Sequence, residues 1–157
     1  MPNSKDITYG AIAAAISVIL LFMTLIFSFN KAFFTGAATL SFPVVAVLRN
    51  KKTAAISLAA AGILALLLHP NKILAAVFVS LSTYALLKNT IERVQNIPLQ
   101  WSIKLALYFG GASALSFLFF GKLMILPLLL GAIAFVIYDI VLFLGIGYLS
   151  NILRFIS

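Results

Sequence analysis

The sequence predicts an all-α integral membrane protein in which about six transmembrane helices form a single compact bundle. Hydrophobic residues make up 64% of the 157 residues, and charged residues make up only 9%. A soluble domain carries about a quarter charged residues. The acidic residues are only Asp6, Glu92 and Asp139. Because so few charged groups cannot cover a surface that faces water, most of the exterior must face lipid.

The apolar residues fall into six runs, each ended by a charge or by a Pro/Asn cluster. A helix of about 20 apolar residues crosses a membrane, and the runs lack the alternation of a barrel strand. The first run is too long for a signal-peptide core and lacks a cleavage site, so it is expected to be a permanent helix. Pro127 and Gly131 predict a broken or tilted entry to the last span. The predicted spans are residues 9–29, 32–48, 53–68, 73–87, 102–120 and 123–149.

The longest link between the predicted spans is 88–101. Asn89 and Glu92, three residues apart, are typical of a helix-capping pair. A short surface helix is therefore expected in this link, ending before Pro98. The other links are tight turns, so the whole chain, 1–157, is predicted to be one transmembrane domain without a large domain outside the membrane.

The basic residues predict the orientation of the bundle. Cytoplasmic loops collect Lys and Arg, which puts both termini in the cytoplasm of a multi-pass protein, expected in a prokaryotic plasma membrane. Because the bases lie in short connections rather than in one patch, nucleic-acid binding is not expected. One side has Lys5, Arg49, Lys51, Lys52, Lys88, Arg93, Lys104 and Arg154, and the other has Lys31, Lys72 and Lys122.

Signatures of catalysis are missing, so the protein is not expected to be an enzyme. The absence of cysteine excludes thiol catalysis and cysteine-ligated metals. The single histidine, His69, is not part of a His-Glu-x-x-His motif, and no base accompanies Ser113, so neither a metal site nor a serine nucleophile is predicted. Neither a cofactor nor a nucleotide-binding loop is indicated. Any uphill transport would need energy from a partner.

Small residues spaced by four line one side of the first span. Such faces let membrane helices approach each other closely. We expect this face to dock a partner membrane subunit, although ordinary packing within the bundle remains an alternative. The residues are Gly10, Ala11, Ala14 and Ala15.

Asp139 is the only acidic residue inside a predicted span. A carboxylate at the bilayer centre costs about 2.5–3.5 kcal/mol on insertion scales, so Asp139 should face protein. An ion pair with Lys104, which enters from the same side of the membrane on the fifth span, is predicted. A conformational latch and a proton or cation site remain alternatives.

Polar and aromatic residues on the fourth and fifth spans predict a small-molecule cavity. Ser80, Thr83 and Tyr84 share one helix face, and Tyr108 and Ser113 lie on the next span. The alternative is that the hydroxyls bond to their own helices. The outer loops are expected to add further hydrogen-bonding or cationic groups above the cavity, namely Asn30, Lys31, His69, Asn71 and Lys122.

The chain resembles the substrate-binding S components of energy-coupling factor (ECF) vitamin transporters. The resemblance is carried by the six short spans, the small-residue face of the first span and the segment 42–55, FPVVAVLRNKKTAA. It implies that Ala11 and Ala15 contact a transmembrane coupling subunit. It further implies that the later helices and outer loops capture a vitamin or a precursor from outside, and that two ATPases drive release by toppling the S component.

The expected function is therefore that of a substrate-binding membrane subunit of a multi-subunit importer for a small, vitamin-like molecule. The alternative is a non-transporting structural or scaffold subunit of a larger membrane complex. A channel or small exporter and an intramembrane enzyme are weaker alternatives. A binding subunit should keep a polar, outward-facing cavity around Tyr84 and Tyr108, whereas a scaffold should bury these groups against helices or lipid.

Overall fold

The computed structural model describes the backbone of residues 3–156 and the side chains of residues 3–148 other than Asn89. The described chain is all-helical, with short turns and one 3₁₀ turn, Ser28–Asn30, between the first two helices. The helices are α1 (Ser4–Ile26), α2 (Lys31–Thr39), α3 (Ser41–Leu48), α4 (Lys51–Leu68), α5 (Lys72–Ile91), α6 (Ile97–Phe120) and α7 (Ile125–Ile156).

Five helical segments of the described chain are long and apolar enough to cross a membrane. They are α1, α4, α6, the segment Ser28–Leu48 that contains α2 and α3, and α7 as far as Tyr148. Helix α5, which corresponds to the fourth predicted span, is not among them. It contacts α2, α3, α4 and α6, and its polar residues Ser82 and Lys88 are fully buried. These two polar side chains are therefore enclosed by protein.

Helices α2 and α3 follow each other along one span, and consecutive spans run in opposite directions, so the turns between spans lie at two ends of the bundle. The basic end contains the start of α1 and the α3–α4 and α5–α6 turns, and Arg49 and Lys51 lie there. The opposite end contains the α1–α2, α4–α5 and α6–α7 turns. At the basic end Arg49 lies 3.8 Å from Asp6, and Lys51 donates to Thr90 at 2.9 Å. These contacts tie α1, α4 and α5 together.

The predicted span 32–48 is divided into two helices, and Pro43 explains the break. Proline has no N–H, and its ring clashes with the carbonyl four residues earlier, here that of Thr39. Helix α2 ends at Thr39, and α3 begins at Ser41. The Thr39 side chain contacts α7 at this break, with its hydroxyl 2.5 Å from the Tyr138 hydroxyl.

Helices α1 and α4 pack closely because Gly10 has no side chain. A Cβ atom at Gly10 would lie 2.5 Å from Ser57 Oγ of α4. Gly10 and Ala14 are buried in this contact, whereas Ala11 and Ala15 are exposed. Packing within the bundle therefore uses half of the predicted docking face, and the other half stays free.

Two apolar clusters form most of the core. The larger one joins α1 to α5 and includes Leu21, Phe42 and Phe78. The second includes Phe135 and Leu142 and packs α7 against α5 and α6. The α6–α7 pair therefore packs against α5, and α7 also contacts α3 directly.

Three expectations about the second half of the chain are wrong: the capping pair at Asn89, the surface helix before Pro98 and a break in the last span at Pro127. Helix α5 continues through residue 89 to Ile91, so position 89 cannot begin a helix; the side chain of Asn89 lies outside the described residues. Residues 92–96 form the turn and α6 begins at Ile97, so no separate surface helix precedes Pro98. Helix α7 is continuous past Pro127, which lies in its first turn, where an N–H has no partner inside the helix.

Candidate functional site

A cavity of about 820 Å³ lies between α2, α5, α6 and α7. We call it the main cavity. Its walls are mostly apolar, and the aromatic rings of Tyr84, Tyr108, Phe135 and Tyr138 line one part of it. Lys31, at the start of α2, lines the cavity at the end of the bundle that is opposite the basic end.

The main cavity exists because small residues face it from α6 and α7. Gly111 and Ala112 of α6 and Ala134 of α7 leave room that larger side chains would fill. The α6–α7 pair is held together beside this space, because the Tyr108 hydroxyl donates to the Leu128 carbonyl at 2.9 Å. The volume is thus a consequence of residue size at positions on two adjoining helices.

Half of the residues predicted to bind a substrate line the main cavity. These are Lys31, Ser80, Thr83, Tyr84 and Tyr108. The other five are not among the residues that line it; they are Asn30, His69, Asn71, Ser113 and Lys122.

His69 and Asn71 hold the α4–α5 turn. The His69 side chain is fully buried, with Nε2 3.2 Å from the Thr24 hydroxyl. Its Nδ1 accepts the Asn71 backbone N–H at 3.2 Å. The Asn71 side chain in turn accepts the Leu74 backbone N–H at 3.0 Å and caps α5. The turn is therefore fixed on α1, which explains why neither side chain reaches the cavity.

Most hydroxyl groups around the main cavity already have protein partners. Thr83 donates to the Val79 carbonyl at 2.8 Å, and Thr35 donates to the Lys31 carbonyl at 2.8 Å. Among the described residues, neither the Ser80 hydroxyl nor the Lys31 ammonium has a side-chain hydrogen bond or ion pair. The cavity therefore offers an aromatic and aliphatic surface with few free polar groups.

Asp139 lies beside the main cavity, at the centre of a buried group of charges that we call the charge cluster. It consists of Tyr84, Lys88, Glu92, Lys104 and Asp139. The predicted pair of Lys104 and Asp139 is present, with Nζ 2.7 Å from Oδ2. Tyr84 donates to Oδ1 at 2.5 Å, and Lys88 donates to the same oxygen. Lys88 also donates to the Asp139 backbone carbonyl at 2.8 Å.

Glu92 completes the charge cluster at the basic end. Its Oε1 lies 3.0 Å from the Lys88 ammonium and 3.1 Å from the Lys104 ammonium. Two ammonium groups thus balance two carboxylates. Lys88 and Lys104 were both counted among the basic residues that predict the orientation, and their side chains are only 1% and 4% exposed. Lys88 can be buried because its charge is neutralised in this network, and Glu92 is half-buried at its edge.

The charge cluster favours a structural role over cation binding. Both carboxylate oxygens of Asp139 already accept hydrogen bonds from cationic or phenolic donors. Within the described part of the chain, no three His, Cys, Asp or Glu residues are grouped so that they could hold a metal ion. A buried charge is tolerated when it is paired and hydrogen-bonded, and this network meets that condition.

Tyr84 belongs to both constellations. Its ring lines the main cavity, and its hydroxyl bonds Asp139 in the charge cluster. A sequence signal for this link exists, because Tyr84, Lys88 and Glu92 are spaced by four and share one helix face. This spacing predicts that Lys88 lies on the same side of α5 as Tyr84 and therefore within the charge cluster.

Comparison of the chain with protein-family models, with curated proteins and with solved structures finds no match. Three features of the molecule indicate a function: the main cavity, the charge cluster and the exposed part of the small-residue face.

Proposed function

We propose that the chain is a multi-pass membrane protein of the plasma membrane, with both termini in the cytoplasm. The five long apolar helices support this proposal, as do the many exposed Ile, Leu and Phe side chains on their outer faces. Lys88 and Lys104 are neutralised in the charge cluster, but the remaining bases still favour a cytoplasmic basic end. At that end are Lys5, Arg49, Lys51, Lys52 and Arg93, against Lys31, Lys72 and Lys122 at the other.

Its function is that of a substrate-binding subunit of a multi-subunit importer, which captures a small, vitamin-like molecule from outside. The observation that carries this proposal is the main cavity. Its volume of about 820 Å³ lies within the roughly 300–1,000 Å³ of ligand pockets, which are mostly apolar with a few polar groups. The aromatic walls suit a flat or aliphatic body. The Lys31 ammonium at the outer end favours an anionic group on the ligand.

The partner is a transmembrane coupling subunit with associated ATPases. Ala11 and Ala15 support this part of the proposal, because they are exposed on α1 while their neighbours Gly10 and Ala14 are occupied by α4. The same two alanines carry the resemblance to the S components of energy-coupling factor transporters. Small side chains there would let a helix of the partner approach α1 closely.

A structural or scaffold subunit of a larger membrane complex is the second candidate. The hydroxyls of Tyr84 and Tyr108 favour it, because both are bonded to protein rather than directed at a free cavity. The volume beside their rings favours the binding subunit, since a scaffold has no need of an open space of this size.

Native mass spectrometry of the tagged protein, extracted gently from its host membranes, tests the proposal. An importer subunit is expected to carry a bound small molecule and an ATPase-containing complex. Ala11→Trp should remove the complex without releasing the small molecule, and Ile19→Trp, at another exposed site on α1, is the control. A stable complex with non-ATPase membrane proteins and no bound small molecule would contradict the importer proposal and support the scaffold alternative.

A further inference from the structure

A second, smaller recess of about 330 Å³ lies on the outer side of the charge cluster, at the basic end. We call it the Trp101 recess. Glu92, Gln100, Trp101 and Lys104 form its polar wall, and Asp139 lies at its base. It is separate from the main cavity, since no residue lines both.

The polar wall has unused hydrogen-bonding capacity of both kinds. The Lys104 ammonium has three N–H groups, and its two acceptors are Glu92 and Asp139. The third N–H has no acceptor among the described residues, and the ammonium lies 5.1 Å from the Trp101 ring centroid. The Trp101 indole N–H is likewise without an acceptor in the described chain. These two donors suit the oxygens of a phosphate.

Acceptors lie on the same recess. Both lysines contact Oε1 of Glu92, whereas Oε2 has no partner among the described residues. The Gln100 side-chain carbonyl is also unbonded there. Glu92 lines the recess, and its side chain is 23% exposed. An ammonium group with N–H donors would find two acceptors beside the phosphate donors.

The apolar rim of the recess indicates where the rest of such a ligand lies. Ile140 and Phe143 of α7 line the recess and are 50% and 61% exposed. They lie on the outer face of α7, which faces lipid if the chain is embedded as proposed above. A headgroup in the recess would therefore have an acyl chain against these two side chains.

We propose that the Trp101 recess binds a phospholipid whose headgroup combines a phosphate with a primary ammonium, as in phosphatidylethanolamine. The phosphate lies at Lys104 and Trp101, and the ammonium lies at Glu92 and Gln100. A choline headgroup carries the same charges but has no N–H on its nitrogen, so it cannot donate to these acceptors. The inference rests on membrane embedding, but not on the occupancy of the main cavity.

Trp101 is the only tryptophan of the chain, so tryptophan fluorescence reports on the surroundings of this one lining residue. The protein is reconstituted in phosphatidylcholine vesicles, to which phosphatidylethanolamine or phosphatidylcholine with dibrominated acyl chains is added. The brominated ethanolamine lipid should quench Trp101 with a relative binding constant about fivefold higher than that of the choline lipid, the ratio that one net hydrogen bond supplies.

Two variants test whether the preference for the ethanolamine lipid depends on the acceptors of the recess. Glu92→Gln should abolish it, and Gln100→Leu should reduce it while leaving the charge cluster intact. Gln95→Leu, in the exposed α5–α6 turn and outside the recess, should keep the wild-type ratio. Equal quenching by both lipids in the wild type would overturn the proposal, as would an unchanged ratio in both Glu92→Gln and Gln100→Leu.

The same experiment separates the other outcomes. If soluble phosphoethanolamine abolishes the preference at the same concentration as the brominated ethanolamine lipid, the acyl chains contribute nothing to binding, the site takes a free headgroup and the lipid assignment is wrong. If neither brominated lipid quenches Trp101, both the recess and membrane embedding are contradicted. Quenching by both lipids without a preference leaves membrane embedding standing and removes only this inference.

Discussion

Asp139 holds three helices together through single side chains. Lys88 of α5 and Lys104 of α6 donate to its carboxylate from two sides, and Tyr84 adds a third donor. Each group is costly to bury alone, but together the network is neutral. Removal of one partner therefore lowers the free energy of unfolding by more than the intact pair contributes to it, because a buried charge is left without a partner.

Asp139→Asn should destabilise the protein by about 3–5 kcal/mol, because two buried ammonium groups would then share Glu92 alone. Unfolding in detergent micelles, followed by circular dichroism, measures the change. Asp6→Asn is the control: its pair with Arg49 is longer, at 3.8 Å, so its loss should cost less than about 1 kcal/mol. If the two substitutions lowered the free energy of unfolding equally, the charge cluster would have no special role in stability.

A second substitution distinguishes charge balance from simple loss of contacts. Asp139→Asn combined with Lys88→Met leaves Lys104 opposite Glu92, which is again neutral. The double variant should be more stable than Asp139→Asn alone, since an uncompensated buried charge is removed with its partner. A double variant less stable than the single one would show that packing, rather than charge, dominates at this position.

The sequence allowed part of this cluster to be predicted. Asp139 needed a basic partner at matching depth, and Lys104 fitted. Lys88 was treated as a topology charge because it stands at the end of an apolar run, and the sequence does not show that α5 is surrounded by other helices. His69 was expected in an outer loop, but its two ring nitrogens find partners in α1 and in the following turn, and such contacts depend on tertiary structure.

Small residues decide which helices approach each other closely. Gly10 meets Ser57 and Thr53 of α4, whereas Ala11, one position further, faces outward. The repeat of small residues on α1 was visible in the sequence. Which half of it packs internally was not, because that depends on the direction in which α4 crosses α1.

Gly10→Val should therefore destabilise the protein by about 1–3 kcal/mol, the usual cost of overpacking. Ala11→Val is the matched control and should change stability by less than about 0.5 kcal/mol, as exposed substitutions generally do. Thermal melting followed by size-exclusion chromatography compares the two. A larger effect at Ala11 would mean that the α1–α4 contact is assigned to the wrong face.

The effect of each proline on its helix depends on its position. Pro43 interrupts a run that was predicted to be one span, because the carbonyl of Thr39 lies where an uninterrupted helix would clash with its ring. Pro127 was predicted to disturb the last span but lies in the first turn of α7, where a missing N–H does no harm. Helix boundaries a few residues from a proline were therefore the least predictable part of the fold.

For the molecule as a whole, composition alone sufficed to predict a helical bundle with several long apolar helices. Five of the described helical segments meet that description. The main cavity could be predicted only in part: Tyr84 and Tyr108 were expected to line it, but the small residues of α6 and α7 that create its volume, Gly111, Ala112 and Ala134, were not. Volume depends on how helices diverge, which residue spacing does not determine.

The proposed orientation predicts which end of the bundle is accessible from outside the cell. The chain has no cysteine, so single-cysteine variants need no background removal. In intact cells, a membrane-impermeant maleimide should label Lys122→Cys, in the α6–α7 turn, but not Lys52→Cys, at the start of α4, until the cells are lysed. The reverse pattern would invert the topology, and labelling of both before lysis would contradict a membrane-spanning bundle.

The most direct test of small-molecule binding in the main cavity uses two neighbouring glycines of α6. Gly111 lines the cavity and Gly110 does not, and a Cβ at either position meets no neighbouring atom within 4 Å. Native mass spectrometry of the protein from its host should show a bound small molecule in wild type and in Gly110→Phe. Gly111→Phe, which fills the cavity, should lose it. Retention of the molecule by Gly111→Phe, or its absence from the wild type, would contradict binding at this site.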